Sequence, residues 1–595
     1  MASDPAARAA IVRLFERETE AGETFAFSLP GGAPLFLAGE RAEALYLLRA
    51  GRLAAAFEEG GSKRFLGVIR PGEVAGEFSL IAGAPHSADV VALRDSELLA
   101  LPRARFLAAA AKDAEAMREL AGLVVHRARR GALQQPTGEP KTFGFICVHP
   151  GPAVRPVAAT VARRLTVMGF KVAVVGAEAE RETTQWFSNL ELAHDLLLYV
   201  GEAEESAWIG VLLRQIDRLF LLAEASARPA RGPKATQPFV TAAGMVDLIL
   251  LQAAGCHAPK GSAAWEKALH PAHLFHLRHG HAADIERLAR VMCRRAVGLV
   301  LSGGAARAYA HVGAIRALEE AKVPIDFVAG ASMGAIVAAG LAMGWEIDEL
   351  DERIRRAFVE SSPVDDFAIP PLVAFTHGRK VRARLAAHFG DREFADLWRP
   401  FFCLSSNLTT GAYQVHRHGL VREALTASVS LPGLLPPTIS GQDVLVDGAL
   451  MKNFPADVMR AFHPGPIVGV DVTRGRSIEA KDVSGPRFLW RWIASGAWRH
   501  GPPMVSILMR AATVTAESEL AVSREAADLL ILPEVEMIEI GDWKAYEPAV
   551  KAGEAAAREA LARLDRPVTE LRLAAKEERP LDEESAVIDR QEPAC

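Results

Sequence analysis

Short apolar runs, separated by Gly, Pro and acidic residues, dominate the chain from about residue 25 to 72. The runs are FAFSLP, PLFLAG, ALYLLRAG, RLAAAFEE and RFLGVIRPG. Runs bounded by turn residues are typical of strands, and their close spacing predicts a small antiparallel roll or barrel. A stretch rich in Ala and Arg, from about Arg103 to Ala132, predicts helix, and GALQQPTGEPK after it predicts a linker.

The pattern changes after this linker. Strand-like TFGFICVHP, KVAVVGAE, HDLLLYVGE and DRLFLLAEA alternate with helical PVAATVARRLTVMG and SAWIGVLLRQI, and a similar alternation begins again at AVGLVLSGG. Alternation of this kind predicts α/β units with mostly parallel sheets. We therefore predict a multidomain chain with a β-roll over 1–132, a middle α/β domain over 141–290, a C-terminal α/β domain over 291–565 and a charged tail over 566–595.

Composition narrows the class of protein. The 595 residues are 50% hydrophobic and carry a formal net charge of -5. Ample apolar content excludes disorder along most of the chain, and the lack of a basic excess argues against a nucleic-acid partner. The five scattered cysteines favour a reducing compartment. Without a run of about 18 apolar residues or a secretory signal, we expect a cytoplasmic chain that does not span a membrane.

The strongest local signal for chemistry is Gly330-Ala331-Ser332-Met333-Gly334. This G-x-S-x-G motif lies between a strand-like run and a helical run. A serine on such a sharp turn is pushed out of the sheet, with its hydroxyl near the helix N-terminus. We predict Ser332 as a nucleophile, with Gly330 and Gly334 allowing the tight turn. An ordinary strand–helix turn is the alternative.

A second signal is the run of small residues Ser302-Gly303-Gly304-Ala305-Ala306-Arg307, which follows a strand and opens a helix. Successive backbone N–H groups at such a place form an anion site, for a phosphate or for the oxyanion of acyl transfer. The G-K-[ST] of a phosphate loop does not follow. A third signal is Asp447-Gly448-Ala449, where a carboxylate at the end of an apolar strand is placed to act as a base. A simple Asp-Gly turn is the alternative there.

In this order, the three motifs resemble the patatin-like phospholipases. The resemblance covers nearly all of 291–565 and includes Gly378-Arg379-Lys380-Val381 and ALTASVSLPGLLPPTISGQDVLVDGAL. It is closest to the neuropathy-target-esterase branch, which hydrolyses lysophospholipids and related lipid esters. The middle region resembles that branch too, with Glu191, Arg214 and Asp217 among its landmarks.

The resemblance implies a phospholipid or lysophospholipid substrate and a catalytic dyad of Ser332 and Asp447, without a catalytic histidine. It implies an oxyanion hole in the loop that comprises Gly303, Gly304, Ala305, Ala306 and Arg307. The family pattern G-G-G-x-[RK]-G is broken at Ala305 and Ala308. If residue 305 needs a positive φ, its Cβ costs about 1 kcal/mol or more. A catalytically silent ligand-sensing protein and an acyltransferase with the same dyad are the alternatives.

The first unit resembles a cyclic-nucleotide-binding domain, which the same branch carries. Gly76 and Glu77 stand where the family binds ribose and phosphate, and Ser87 follows the phosphate-pairing position. At that position the family has Arg, whereas this chain has His86. A neutral imidazole cannot replace the permanent charge and bidentate fork of Arg. The domain is either a cyclic-nucleotide sensor or a structural or regulatory unit that kept the fold; no other cofactor is expected.

Three further features invite interpretation. The histidines between His270 and His281 recur at a spacing that could place metal ligands on one helix face, but we predict no metal site. His311 could act as a base, although a packed or capping role fits it better. The aromatic and basic stretch from Arg487 to Arg499 is typical of either a membrane-interface segment or a helix-packing element, so peripheral membrane contact is an expectation. The oligomeric state is not predicted.

Overall fold

The computed structural model describes residues 9–572 apart from 60–61, 70, 134–139, 151–153, 203–205, 231–245, 361–364, 371, 474–516 and 540. Within these residues the strands form three separate sheets, each from its own stretch of the chain. Among the same residues, no helix has both the length and the apolar character that crossing a bilayer requires. The segment from Arg487 to Arg499 lies outside the described residues.

The first sheet is an antiparallel roll. Its described strands are β1 (Phe25–Leu29), β2 (Pro34–Phe36), β3 (Ala44–Glu59), β4 (Ser62–Ile69), β5 (Val74–Ala75) and β6 (Asp89–Pro102). The order is β1-β6-β3-β4, with β2 on β6 and β5 on β3. The accompanying helices are α1 (Ala9–Glu20), α2 (Glu77–Ala82), α3 (Arg103–Ala110) and α4 (Ala114–Leu133). Phe15 of α1, Phe106 of α3 and Leu120 of α4 pack with Leu45 of β3 in one apolar core.

The strands of the second sheet are β7 (Thr142–Cys147), β8 (Val172–Val175), β9 (Leu196–Gly201), β10 (Arg218–Glu224), β11 (Val246–Gln252) and β12 (Leu274–Arg278). This sheet is parallel throughout, in the order β12-β11-β10-β7-β9-β8. The helices are α5 (Val154–Val167), α6 (Thr184–Ala193), α7 (Ala207–Gln215), α8 (Ala263–Leu269) and α9 (Ala282–Met292). Nearly every residue of β7, β9, β10 and β11 is buried, as expected for a parallel sheet covered on both faces.

The third sheet carries the predicted catalytic motifs. Its strands are β13 (Gly298–Leu301), β14 (Phe327–Ala331), β15 (Phe401–Asn407), β16 (Ala412–His416), β17 (Thr438–Ser440), β18 (Asp443–Asp447), β19 (Ile467–Val470) and β20 (Leu529–Ile531). The order is β17-β18-β15-β14-β13-β19-β20, with β16 paired to β15. Because β14 and β13 are parallel central neighbours, the segments that follow them, which contain Ser332 and Gly303, emerge at the same edge of the sheet.

Helices flank this sheet on both faces. They are α10 (Ala310–Glu320), α11 (Ser332–Ala342), α12 (Ile347–Ile354), α13 (Arg379–Phe389), α14 (Val421–Ser428), α15 (Ala456–Phe462), α16 (Glu517–Glu525) and α17 (Tyr546–Ala562). Helices α10 and α17 approach unusually closely through Gly313 and Gly553. A Cβ on Gly553 would lie 1.8 Å from the carbonyl oxygen of Ala310, so a larger residue there would force the helices apart.

The middle and C-terminal domains share one hydrophobic core. Phe145 and Leu288 of the middle domain belong to the same buried cluster as Val300, Phe402 and Phe454 of the C-terminal domain. Such a shared core makes the two sheets a single packing unit, because separating them would expose large apolar side chains to water.

The N-terminal roll meets the middle domain through charges instead. Arg52 of β3 pairs with Glu191 at 3.2 Å and also with Asp217, and Arg214 pairs with Asp95 at 3.0 Å. The middle-region landmarks Glu191, Arg214 and Asp217 therefore hold the N-terminal domain.

The predicted fold class is confirmed, and several predicted elements are corrected. ALYLLRAG and RLAAAFEE form the single strand β3, whose pairing with β6 shifts register around Gly51 without ending the strand. Gly51 has a φ of 96°, and a Cβ there would lie 2.3 Å from Ser96 Oγ, so only glycine fits this irregularity. The helix predicted from Arg103 to Ala132 is interrupted, since the Asp113 carboxylate accepts the Ala116 N–H and starts a new helix. The His-rich stretch runs from the end of α8 through strand β12 to the start of α9 and is not one helix, so its histidines do not share a helix face.

Candidate active site

Ser332 stands at the junction of β14 and α11. Its φ of 52° lies in the left-handed region, which L-residues rarely adopt and which stores strain at functional turns. The flanking glycines permit the tight turn. A Cβ on Gly330 would lie 2.6 Å from the carbonyl carbon of Gly334, and one on Gly334 would lie 2.4 Å from the carbonyl oxygen of Ser302. Ser332 is left partly exposed at the edge of the sheet.

Asp447 is buried beside this serine. The Ser332 hydroxyl donates to Asp447 Oδ2 at 2.6 Å, across 115 residues of sequence. The other carboxylate oxygen, Oδ1, accepts the N–H of Ala449 at 2.9 Å. Burial raises the pKa of Asp447 to about 7, although the hydrogen bonds from Ser332 and Ala449 lower it in part. A carboxylate with a raised pKa is a stronger base than an exposed aspartate.

Three further serines support the pair. Ser428, at the end of α14, accepts the Ser332 N–H with its Oγ at 3.0 Å. The Ser430 carbonyl accepts the Asp447 N–H at 2.9 Å, and the Ser406 hydroxyl donates to the Asp447 carbonyl at 2.9 Å. Sequence reasoning did not select these serines. The signal available for Ser428 and Ser430 was their place in the family-like stretch ALTASVSLPG.

The glycine-rich loop lies directly against Ser332. A Cβ on Gly303 would lie 2.9 Å from Ser332 Cβ. Asn453 holds the backbone of Gly303 on both sides, because its Oδ1 accepts the Gly303 N–H at 3.0 Å and its Nδ2 donates to the Gly303 carbonyl at 3.1 Å. The Gly303 N–H is therefore engaged, which departs from the prediction that it faces an oxyanion. Within the described residues, the N–H groups of Gly304 and Ala305 donate to no protein acceptor.

The rest of the loop is fastened from behind. Ala305 has a φ of 48°, so the alanine occupies the left-handed conformation for which the family has glycine. Ala306 and Ala308 are buried in the core, and Arg307 Nε donates to the Ile538 carbonyl at 2.7 Å. Ala306 and Arg307 therefore anchor the loop through their side chains, whereas Gly304 and Ala305 present the backbone.

His311 does not reach the dyad. It is buried in the first turn of α10, and its Nε2 lies 2.7 Å from the Ser302 carbonyl. Burial lowers the pKa of His311 to about 4, so its ring is neutral and Nε2–H donates to that carbonyl. This burial and the bond to Ser302 agree with the packed or capping role expected for this histidine.

The phosphate-pairing position of the N-terminal roll is also built differently from the family pattern. The His86 ring stacks on Phe36 with centroids 3.6 Å apart and is almost completely buried. Burial lowers the pKa of His86, so the ring carries no charge to offer a phosphate at neutral pH. Glu77 is buried at the start of α2, Gly76 precedes it with a φ of 89°, and Ser87 follows His86 at the surface.

Two segments of the chain match known protein families. Residues 299–460 match the family described as patatin-like phospholipase, and residues 26–113 match the cyclic nucleotide-binding domain. These matches define the class: a patatin-like phospholipase domain preceded by a domain of the cyclic-nucleotide-binding fold.

Relatives place the chain more closely. An uncharacterized NTE family protein of Mycobacterium tuberculosis is 30% identical over 560 residues, which cover 90% of this chain and 91% of the relative. Patatin-like phospholipase domain-containing protein 6 of Mus musculus is 26% identical over 88% of this chain and 44% of its own length. Lysophospholipase nte1 of Aspergillus fumigatus is 26% identical over 74% of this chain and 35% of its own length. The chain belongs to the NTE family.

Proposed function

We propose that the chain is a serine esterase that hydrolyses acyl esters of phospholipids or lysophospholipids through Ser332 and Asp447. The observation that carries the proposal is the 2.6 Å hydrogen bond from the Ser332 hydroxyl to the buried Asp447 carboxylate. Membership of the NTE family supports a lipid ester as the substrate, and one similar protein is named a lysophospholipase.

Acylation begins when Asp447 Oδ2 accepts the hydroxyl proton and Ser332 Oγ attacks the ester carbonyl carbon. The carbonyl oxygen becomes an oxyanion, which the N–H groups of Gly304 and Ala305 stabilise. The tetrahedral intermediate then collapses, the C–O bond to the glycerol oxygen breaks, and Asp447 returns its proton to that oxygen. Ser332 is left as an acyl ester.

Deacylation repeats the steps with water as the nucleophile. Asp447 accepts a proton from water, the resulting hydroxide attacks the acyl-serine carbonyl, and the same amides stabilise the second oxyanion. Collapse of the intermediate releases the fatty acid and returns the proton to Ser332 Oγ. Because Asp447 is deprotonated above its pKa of about 7, kcat/KM should rise as the pH passes through that value and then level off.

A fluorophosphonate probe tests the nucleophile directly. We expect the probe to label the purified wild-type chain, to leave Ser332→Ala unlabelled and to label Ser28→Ala normally, since Ser28 is an exposed serine of the roll. Lysophosphatidylcholine should yield free fatty acid with the wild type and with Ser28→Ala. Labelling of Ser332→Ala, or its full esterase activity, would contradict the proposal, and acyl groups recovered on a lipid acceptor would show an acyltransferase instead.

A further inference from the structure

A short hairpin before α13 presents apolar side chains to water. Ile369, Leu372 and Val373, which we call the apolar tip, are 90%, 87% and 68% exposed. Exposed apolar side chains are normal when scattered, but a cluster marks a surface that contacts another apolar phase. The apolar tip is therefore a candidate contact site for an apolar partner.

The hairpin below the tip is held by its own hydrogen bonds. The Ala368 N–H donates to the Phe375 carbonyl at 2.8 Å, and the His377 N–H donates to the Asp366 carbonyl at 2.9 Å. Phe367 and Thr376 form an antiparallel bridge between the two sides. The tip thus projects from a paired base and is not the end of a loose chain.

The hairpin is also fastened beside the candidate active site. The Phe375 N–H donates to the Gly433 carbonyl at 2.8 Å, and the Thr376 hydroxyl donates to the Leu434 carbonyl at 2.7 Å. A few residues earlier in that same segment, Ser428 and Ser430 hold the backbones of Ser332 and Asp447. The hairpin that carries the tip is therefore tied to the same segment of chain that holds the dyad.

Positive charge follows the tip along the chain. Arg379, Lys380 and Arg382 are exposed in the first turn of α13. Lys380 is paired with Asp365 at 2.6 Å, whereas Arg379 and Arg382 form no ion pair with any carboxylate in the described part of the chain. The Arg382 guanidinium donates one hydrogen bond to the His377 carbonyl at 2.8 Å and keeps its charge uncompensated. Cations beside exposed apolar side chains match a membrane surface with anionic headgroups, because the tip can enter the acyl region while the guanidinium groups stay at the headgroups.

We infer that the apolar tip inserts into an anionic lipid surface and that Arg379 and Arg382 pair with its headgroups. The catalytic meaning of this docking rests on the proposed esterase function, but the docking itself does not require turnover. The partner is a lipid surface and not a second copy of the chain, because the adjoining cations would repel their own copies across a self-complementary interface.

Vesicle flotation of the full chain tests the inference without hydrolysis. In a Ser332→Ala background, binding to vesicles of phosphatidylcholine and phosphatidylglycerol is compared for the parent, for Ile369→Ser/Leu372→Ser/Val373→Ser, and for Val167→Ser/Leu192→Ser. Val167 and Leu192 are 80% and 86% exposed in the middle domain and control for loss of exposed apolar surface. We expect the tip variant to bind the vesicles at least roughly tenfold more weakly than the parent, and the control variant to bind as the parent does.

The outcomes separate the docking from the catalysis. Absence of vesicle binding by the parent, or equal binding by the tip variant and the control, would overturn the inference. If the parent sediments as a dimer, the tip variant sediments as a monomer and vesicle binding is the same for both, the tip contacts a second copy of the chain and the inference is overturned. The tip variant with Ser332 intact should hydrolyse soluble p-nitrophenyl butyrate normally. If no form of the chain hydrolyses this ester while vesicle binding depends on the tip, the proposed function fails and the docking stands.

A comparison of anionic with neutral vesicles tests whether Arg379 and Arg382 pair with anionic headgroups. Arg379→Gln/Arg382→Gln should weaken binding to vesicles that contain phosphatidylglycerol and leave binding to pure phosphatidylcholine vesicles unchanged. Added salt should remove the difference, since exposed charges are screened. Equal loss on both kinds of vesicle would overturn the role of the two arginines.

Discussion

Two family motifs are altered in this chain, one in each terminal domain. In the glycine-rich loop, Ala305 stands where the family has glycine, and in the nucleotide cassette His86 stands where the family has arginine. Ala305 adopts the left-handed φ of 48° and still leaves its N–H available, whereas His86 is buried against Phe36. A site made of backbone amides tolerates a changed side chain if the conformation is kept. A site that depends on a guanidinium does not.

The largest effect is expected when the side-chain half of the active site is changed. Asp447→Asn should lower kcat by at least about a thousandfold, because the dyad acts as a unit and amide cannot accept the Ser332 proton. Esterase assays on purified protein measure this, with circular dichroism to verify folding. A decrease of less than tenfold would show that another group serves as the base.

The same substitution should stabilise the fold at alkaline pH. The pKa of Asp447 is raised from 3.8 to about 7, so the folded state binds the proton more tightly and loses stability as pH rises between these values. Asn carries no such penalty. Asp447→Asn should therefore gain at most about 4 kcal/mol in free energy of unfolding at pH 8 and lose that gain at pH 4. An equal difference in free energy of unfolding between the variant and the wild type at pH 8 and pH 4 would contradict the predicted pH dependence.

Asn453 tests whether the backbone half of the site must be held in place. Asn453→Ala removes both side-chain hydrogen bonds to Gly303 and leaves the 3.3 Å bond from the Gly303 N–H to the backbone carbonyl of residue 453, so we expect kcat to fall by roughly ten- to a hundredfold with little change in KM. Thr473→Val is the matched control, because it removes the hydrogen bond from Asn453 Nδ2 to the Thr473 hydroxyl at 2.5 Å and keeps both side-chain bonds from Asn453 to Gly303. Similar kinetic losses in both variants would show that Asn453 acts through general packing.

A smaller effect is expected at Ala305. Ala305→Gly removes the strain of a Cβ at positive φ but adds the entropy of glycine, so the free energy of unfolding should rise by about 0.5 kcal/mol. Activity should change by less than about threefold, since the N–H remains in place. Ala308→Gly is the control: its methyl group is buried, so that variant should be destabilised. If Ala305→Gly and Ala308→Gly both stabilised the fold, the gain at residue 305 could not be attributed to relief of strain at its positive φ.

The smallest effect is expected in the N-terminal domain. Calorimetric titration of the full chain with cyclic AMP or cyclic GMP should show no binding in the micromolar range, and neither nucleotide should raise the melting temperature. The reason is the buried, uncharged ring of His86 at the phosphate-pairing position. A micromolar Kd for either nucleotide would mean that a different group pairs with the phosphate, and the contrast between the two motifs would then fail.

Much of the catalytic unit could be predicted because its signals are local. The runs before Gly303 and Ser332 form β13 and β14, and the following runs form α10 and α11, since strand and helix periodicity act over a few residues. The middle sheet was predicted less completely: β11 and β12 were not identified, although VDLILLQ is an unbroken apolar run. Such a run does not distinguish a buried strand from a buried helix.

The sequence by itself determined the chemistry available to this protein: a serine on a strand-to-helix turn, a loop of small residues and an aspartate after an apolar strand, in the order of the patatin-like phospholipases. The tertiary structure decided which groups meet. It joined Ser332 to Asp447, placed Asn453 on Gly303, buried His86 and bonded the base of the hairpin, at Thr376, to Leu434. The physical reason is the separation along the sequence over which each kind of interaction acts. Backbone conformation follows from neighbouring residues, whereas contacts between residues a hundred positions apart depend on how whole elements pack.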